Sequence, residues 1–159
     1  MRVFAVALSF MTLMVSLSSS SASASMLTRC GESSGWSFFF EGGLVGPGQG
    51  GWKEDGIKGG AIEVHLVKDN LDVVFYDATG GPYSHNLDGA NVYLTATRHT
   101  EIGGRSFTVV VDNRGSGLLE TYLFNLNAVG VGTVVWSTMR TGGLFPKGSL
   151  MTASCGPKS

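Results

Sequence analysis

Ser84, His85 and Asp88 sit within one short stretch of the chain, and they are the residue types of nucleophilic hydrolysis. A hydroxyl attacks, an imidazole takes its proton, and a carboxylate orients the imidazole. Adjacent residues point apart, however, and a working triad needs spatial neighbours in defined geometry. Glu63 and His65 offer different chemistry. Two residues apart in a β-like run, they share one face, where an acid/base pair or two metal ligands could sit. A solvent-facing polar pair on an amphipathic strand accounts for them equally well. His99 closes another strand-like run, and none of the three histidines falls in H-E-x-x-H or another zinc spacing.

Two motif-like strings fail on context. Gly31-Glu32-Ser33-Ser34-Gly35 matches the G-x-S-x-G nucleophile elbow, which needs its serine on a sharp strand-to-helix turn. Aromatic strand residues follow it, and no helix. Gly46-x-Gly48-x-x-Gly51 matches the dinucleotide fingerprint, which works by aiming a helix N-terminus at a pyrophosphate. The residues from Trp52 to Gly56 begin no helix, and there is no P-loop lysine pattern. Among the carboxylates, Glu54 and Asp55 are neighbours in a loop-like stretch, while Asp72 and Asp77 flank a strand; turn formation and solvation explain such positions. The sequence therefore assigns no catalytic residue, no metal and no cofactor. It does place Trp52 and Tyr83 in glycine-rich stretches away from the strand pattern, where exposed rings serve as binding platforms. With His85 they are the candidate ligand contacts.

The elements that must position these residues are strands. No window sustains apolar residues at i, i+3, i+4 and i+7. Short β-branched and aromatic runs split by Gly, Asn and Asp recur instead, which predicts an all-β, antiparallel fold. About eight segments are expected: 36–40, 61–67, 71–77, 91–98, a fifth lined by Phe107, Val109 and Val111, then 118–126, 133–139 and 149–155. Alternation turns Ile62, Val64 and Leu66 inward, and likewise Val92, Leu94 and Ala96, then Tyr122, Phe124 and Leu126, then Val134 and Trp136. Lys68-Asp69-Asn70 and Asp112-Asn113-Arg114-Gly115 read as tight turns. Mostly short connections imply an up-and-down meander, curled into a closed or nearly closed barrel or packed as a β-sandwich. Two connections are long, Gly42 to Gly60 and Ala78 to Ala90, and these glycine-rich loops are where a site is expected. Tyr93, Leu123 and Val135 give several strands a second apolar face, the mark of a covering loop or a self-association seam.

Cys30 and Cys155 tie this pattern together. Arg2, an apolar run from Val3 to Leu17, a serine-rich stretch and Ala22-Ser23-Ala24 read as a secretory signal cut after Ala24. An exported chain with two cysteines favours one disulfide. A bridge requires their Cα atoms within a few ångströms, so the first strand should lie beside the last, closing the sheet. The expected organisation is a signal peptide over 1–24 and a single β domain over 25–159, secreted or periplasmic. Without Arg2 the domain carries ten basic and twelve acidic side chains, a net charge of −2, and no basic patch, which speaks against nucleic acid as a partner. No second apolar run is long enough for a membrane helix. The function expected from this pattern is non-enzymatic binding of a small ligand, a glycan or a protein through the long loops. A small hydrolase using Ser84, His85 and Asp88, a metal enzyme at Glu63 and His65, and a structural envelope protein are the alternatives.

Overall fold

The computed structural model describes residues 25–77, 80–142 and 144–156; the expected signal, residues 1–24, lies outside them. The described residues form ten strands and no helix. The strands are β1 (Ser25–Phe39), β2 (Gly51–Ile57), β3 (Ala61–Val67), β4 (Asn70–Tyr76), β5 (Pro82–Ser84), β6 (Asn91–His99), β7 (Arg105–Asn113), β8 (Leu118–Leu126), β9 (Gly132–Arg140) and β10 (Lys147–Cys155). They make one antiparallel sheet in the order β5-β4-β3-β1-β10-β9-β8-β7-β6, with β2 also paired to β1. The sheet curls into a half-barrel.

The strands β6 to β10 form an unbroken meander, and β1 lies against β10 with Cys30 opposite Cys155 and Phe39 opposite Lys147. The two cysteines are disulfide-bonded, their Cα atoms 3.8 Å apart. First strand beside last is what the cysteine pair demanded. That junction is nevertheless the middle of the sheet. The free edges, β5 and β6, lie on the far side of the curl, where β4 and β6 approach each other without a hydrogen-bonded ladder. The turn over residues 85–90 spans this gap. His85 N–H donates to Val73 O (3.1 Å), Ala90 N–H donates to His85 O (2.9 Å), and the Asn113 side-chain amide donates to Asp88 O (3.2 Å).

Two strands exceed the expected eight. β2 lies inside the stretch read as a glycine-rich loop, and β5 is a three-residue strand in the second loop. Glycines and a run of charges hide β2 from a propensity reading, yet its backbone completes a ladder with the second half of β1, from Ser33–Ile57 to Phe39–Gly51. The first half of β1 pairs with β3, and the β1–β10 register shifts between Cys30 and Ser33, where β1 changes partner. The β3–β4 hairpin turns at Lys68 and Asp69, both with left-handed φ (49° and 66°), the geometry of a two-residue primed turn.

The core fills the concave face. Alternation buries Phe107, Val109 and Val111 on β7, Tyr122, Phe124 and Leu126 on β8, Val134 and Trp136 on β9, and Met151, Ala153 and Cys155 on β10, against Ile62, Val64 and Val73 from β3 and β4. Phe107 stacks on Phe124 with centroids 4.6 Å apart, and Tyr122 stacks on Trp136 at 5.7 Å. Each such side chain contributes on the order of 1.5–3 kcal/mol by leaving water. Leu94 and Ala96, both expected inward, are exposed: Leu94 keeps the inward parity of its partner Val109 but lies on β6, the open edge of the sheet, and the register shift between Leu94 and Ala96 turns Ala96 to the face of Thr108. The convex face keeps Trp36, Tyr93, Leu123, Val135 and Leu150 exposed.

Candidate functional site

The concave face is not packed along its whole length. At the disulfide end it is filled by Phe107, Phe124, Leu126 and Val134. Toward the other end, where β8 begins and β9 finishes, it holds a cavity of about 340 Å³. The strand registers place Leu118 opposite Arg140 and Arg140 opposite Lys147, so these three side chains sit side by side at that end. Deeper in the wall are Glu120, Trp136, Thr138 and Met151, each on the inward parity of its strand. Ile57, Phe75, Asp77, Tyr83 and His85 complete the lining from β2, β4 and the β5 turn.

His85 is held in place by its backbone bonds to Val73 and Ala90, and its ring is 3% exposed. Its Nε2 lies 3.2 Å from Glu120 Oε2, but the approach lacks hydrogen-bond geometry, and both ring nitrogens are buried without a hydrogen-bond partner among the described residues. The distance marks contact; the geometry shows that no hydrogen bond is made. Glu120 Oε2 instead accepts a 2.5 Å hydrogen bond from the Tyr122 hydroxyl. Burial first, and then the Glu120 charge and this hydrogen bond, push the Tyr122 phenol well above its usual range. Trp136 also lines the cavity, with its indole N–H buried and unpartnered among the described residues.

Tyr83 forms part of the mouth. Its hydroxyl donates to Asp88 Oδ2, which also accepts from the Asn113 side-chain amide at 2.9 Å, and its ring meets His85 edge to face at 5.1 Å. Burial, the hydrogen bond and charge of Asp88, and the Glu120 charge push the Tyr83 phenol up to about 12, against a smaller opposing effect of Arg140. Beside the mouth, Lys147 Nζ donates to Asp55 Oδ2 (2.7 Å), which also accepts from Ser37 Oγ (2.6 Å), itself 2.6 Å from Ser149 Oγ. Burial pushes the Asp55 carboxyl up, but the Lys147 and Ser37 hydrogen bonds, the Lys147 charge and the Gly56 N–H outweigh it and hold the group below its ordinary value. Arg140 has no ion-pair partner among the described residues.

Of the three ligand contacts expected from sequence, Tyr83 and His85 come together at this cavity and Trp52 does not. Trp52 is 63% exposed, packs edge to face on Phe38 at 5.5 Å, and belongs to β2. The Ser84, His85 and Asp88 set is dispersed. Ser84 Oγ donates to Asp72 Oδ2 (2.7 Å), while His85 faces Glu120 and Asp88 serves Tyr83 and Asn113. Glu63 and His65 do meet, at 2.8 Å, but away from the cavity lining. The Glu63 carboxylate is already engaged by Arg29 and by the Tyr76 hydroxyl (3.1 Å). No group of three or more His, Cys, Asp or Glu that could hold a metal occurs among the described residues. Ser33 of the G-x-S-x-G string lies within β1 itself.

Glu120, Thr138, Arg140 and Lys147 were missed by sequence reasoning. A signal for them exists. Glu120 shares strand parity with Tyr122, Phe124 and Leu126, Thr138 and Arg140 share it with Val134 and Trp136, and Lys147 shares it with Met151 and Cys155. Polar residues continuing an inward apolar stripe in three adjacent strands, all at one end, mark a polar cavity.

No protein-family model, curated protein sequence or solved structure matches this chain.

Proposed function

We propose that this protein binds a small molecule inside the half-barrel, at the cavity bounded by Tyr83, His85, Glu120, Trp136, Thr138 and Arg140. The observation that carries the reading is the cavity itself. It lies at the lower end of the usual range for ligand pockets, about 300–1,000 Å³, and it combines apolar walls with a few convergent polar groups. The buried, unpartnered nitrogens of His85 and Trp136 add weight, because buried polar groups are as a rule hydrogen-bonded. Export to an oxidising compartment after removal of residues 1–24 fits the Cys30–Cys155 bridge.

Thermal-shift screening against chemically diverse small molecules tests this. A hit should raise the melting temperature of the parent and lose its effect in Thr138→Phe, which fills the cavity from β9. Binding that survives Thr138→Phe but disappears in Trp52→Ala would move the site to the convex side and sink the proposal.

A further inference from the structure

We infer that the ligand is a neutral polyhydroxylated ring, a saccharide of one or two rings; this deepens the cavity reading above and rests on it. The first argument is charge balance. Lys147 is already paired with Asp55, which leaves the cation Arg140 and the carboxylate Glu120 lining the same cavity. An anionic ligand drawn to Arg140 would lie near Glu120 as well, and a cation drawn to Glu120 would meet Arg140. A neutral ligand escapes both penalties.

The second argument is the mix of open hydrogen-bonding capacity. The Trp136 indole N–H can only donate, so its partner must accept. The two His85 ring nitrogens are likewise buried with no hydrogen-bond partner among the described residues, so a polar group that reaches the ring would satisfy them. Glu120 Oε1 can only accept and has no partner among the described residues, while the Arg140 guanidinium can only donate. One ligand must therefore present donors and acceptors in close succession around its edge. The hydroxyl is the group that supplies both at one atom, and a ring bearing several supplies them on every side. Phe75, Trp136 and Tyr83 provide the apolar surface for the C–H face of such a ring. A fatty acyl chain would cover the aromatic walls but leave every one of these polar groups unpaired.

Titration calorimetry at neutral pH tests the inference. The probes are glucose, galactose, mannose, N-acetylglucosamine, maltose and cellobiose, with oleate and indole-3-acetate as the apolar and anionic arms. At least one saccharide should saturate the protein at one site per chain. Arg140→Ala, at the exposed rim, should weaken that binding roughly tenfold, equivalent to about 1.4 kcal/mol. Leu123→Ala on the convex face should leave it unchanged. Binding of oleate or indole-3-acetate without any saccharide would overturn the ligand class and leave the cavity reading standing. Saccharide binding unchanged in both Arg140→Ala and Tyr83→Ala would overturn the placement. No heat with any probe would overturn the saccharide class, and the thermal-shift screen with Thr138→Phe then decides the cavity reading by itself.

Discussion

Removing the Cys30–Cys155 bridge, as a Cys30→Ala/Cys155→Ala pair, acts on the unfolded chain far more than on the folded one. The two residues are 125 positions apart in sequence, yet neighbours in the β1–β10 ladder. Chain-entropy arithmetic for a loop of that length gives roughly 5 kcal/mol of stabilisation as an upper value. Domains of this size are stable by about 5–15 kcal/mol in total, so the variant should stand close to the edge of folding. An unfolding entropy of about 2.1 cal/mol/K per residue, over about 135 residues, converts this to a fall in melting temperature of roughly 15–20 °C. Urea unfolding of parent and variant, followed by circular dichroism and tryptophan fluorescence, reads both numbers. Native-state alkylation should find no reactive thiol in the parent, because both sulfurs are buried and bonded. A stability loss under about 1 kcal/mol would refute the reasoning. It would mean that the unfolded ensemble already holds its ends together, or that the bridge strains the ladder as much as it restricts the unfolded chain.

Other perturbations have equally definite outcomes. A Cβ at Gly35 would stand 2.1 Å from Leu150 O, inside the central β1–β10 ladder, so Gly35→Ala should cost about 2–4 kcal/mol in urea unfolding. Asp69→Gly relieves one left-handed non-glycine residue in the β3–β4 turn and should add about 1 kcal/mol of stability in urea unfolding. The Asp55 carboxyl is held below its ordinary value in the folded protein, so its contribution is present above the unfolded pKa and fades as pH falls through the folded one. Acid unfolding of Asp55→Asn should accordingly be less pH-dependent below about pH 4. Tyr83 is shifted the other way, so its contribution is complete below the unfolded value and is lost as pH rises through about 12. Ultraviolet difference titration of the parent against Tyr83→Phe should place the missing phenolate absorbance near pH 12; absorbance appearing near pH 10 would break the Tyr83–Asp88 assignment.

The meander was the most legible part of the chain. In β7, β8 and β9 alternate residues are buried over 107–113, 118–126 and 134–138, so Phe107, Val109, Val111, Tyr122, Phe124, Leu126, Val134 and Trp136 announce their face by period alone. The same method fails where backbone, and not side chain, decides. β2 exists because β1 offers it a ladder, and nothing in Trp52-Lys53-Glu54-Asp55 advertises that. Ala96 is turned to the other face by one extra residue in β6, an event invisible to periodicity. Within the site, Tyr83 and His85 stood out because they interrupt a loop. Glu120 and Arg140 did not, because a charged residue on a strand reads as solvent-facing until the curl of the sheet is known. Trp52 lies apart from the cavity: an aromatic in a glycine-rich stretch reads as a loop residue, but here it belongs to β2 with Phe38 for a neighbour.

The placement of β1 beside β10 has a consequence for how the chain acquires its shape. A chain made from its N-terminus presents β1 first and its principal partner last. The hairpins from β6 through β10 close locally, each needing only its predecessor, whereas β1 waits for more than a hundred residues to be made. Until then its aromatic run, Trp36 with Phe38 and Phe39, has only the ladders to β2 and β3 to occupy its other edge. The order of synthesis and the order of pairing thus run against each other, and the central ladder of the finished sheet is the last one able to form.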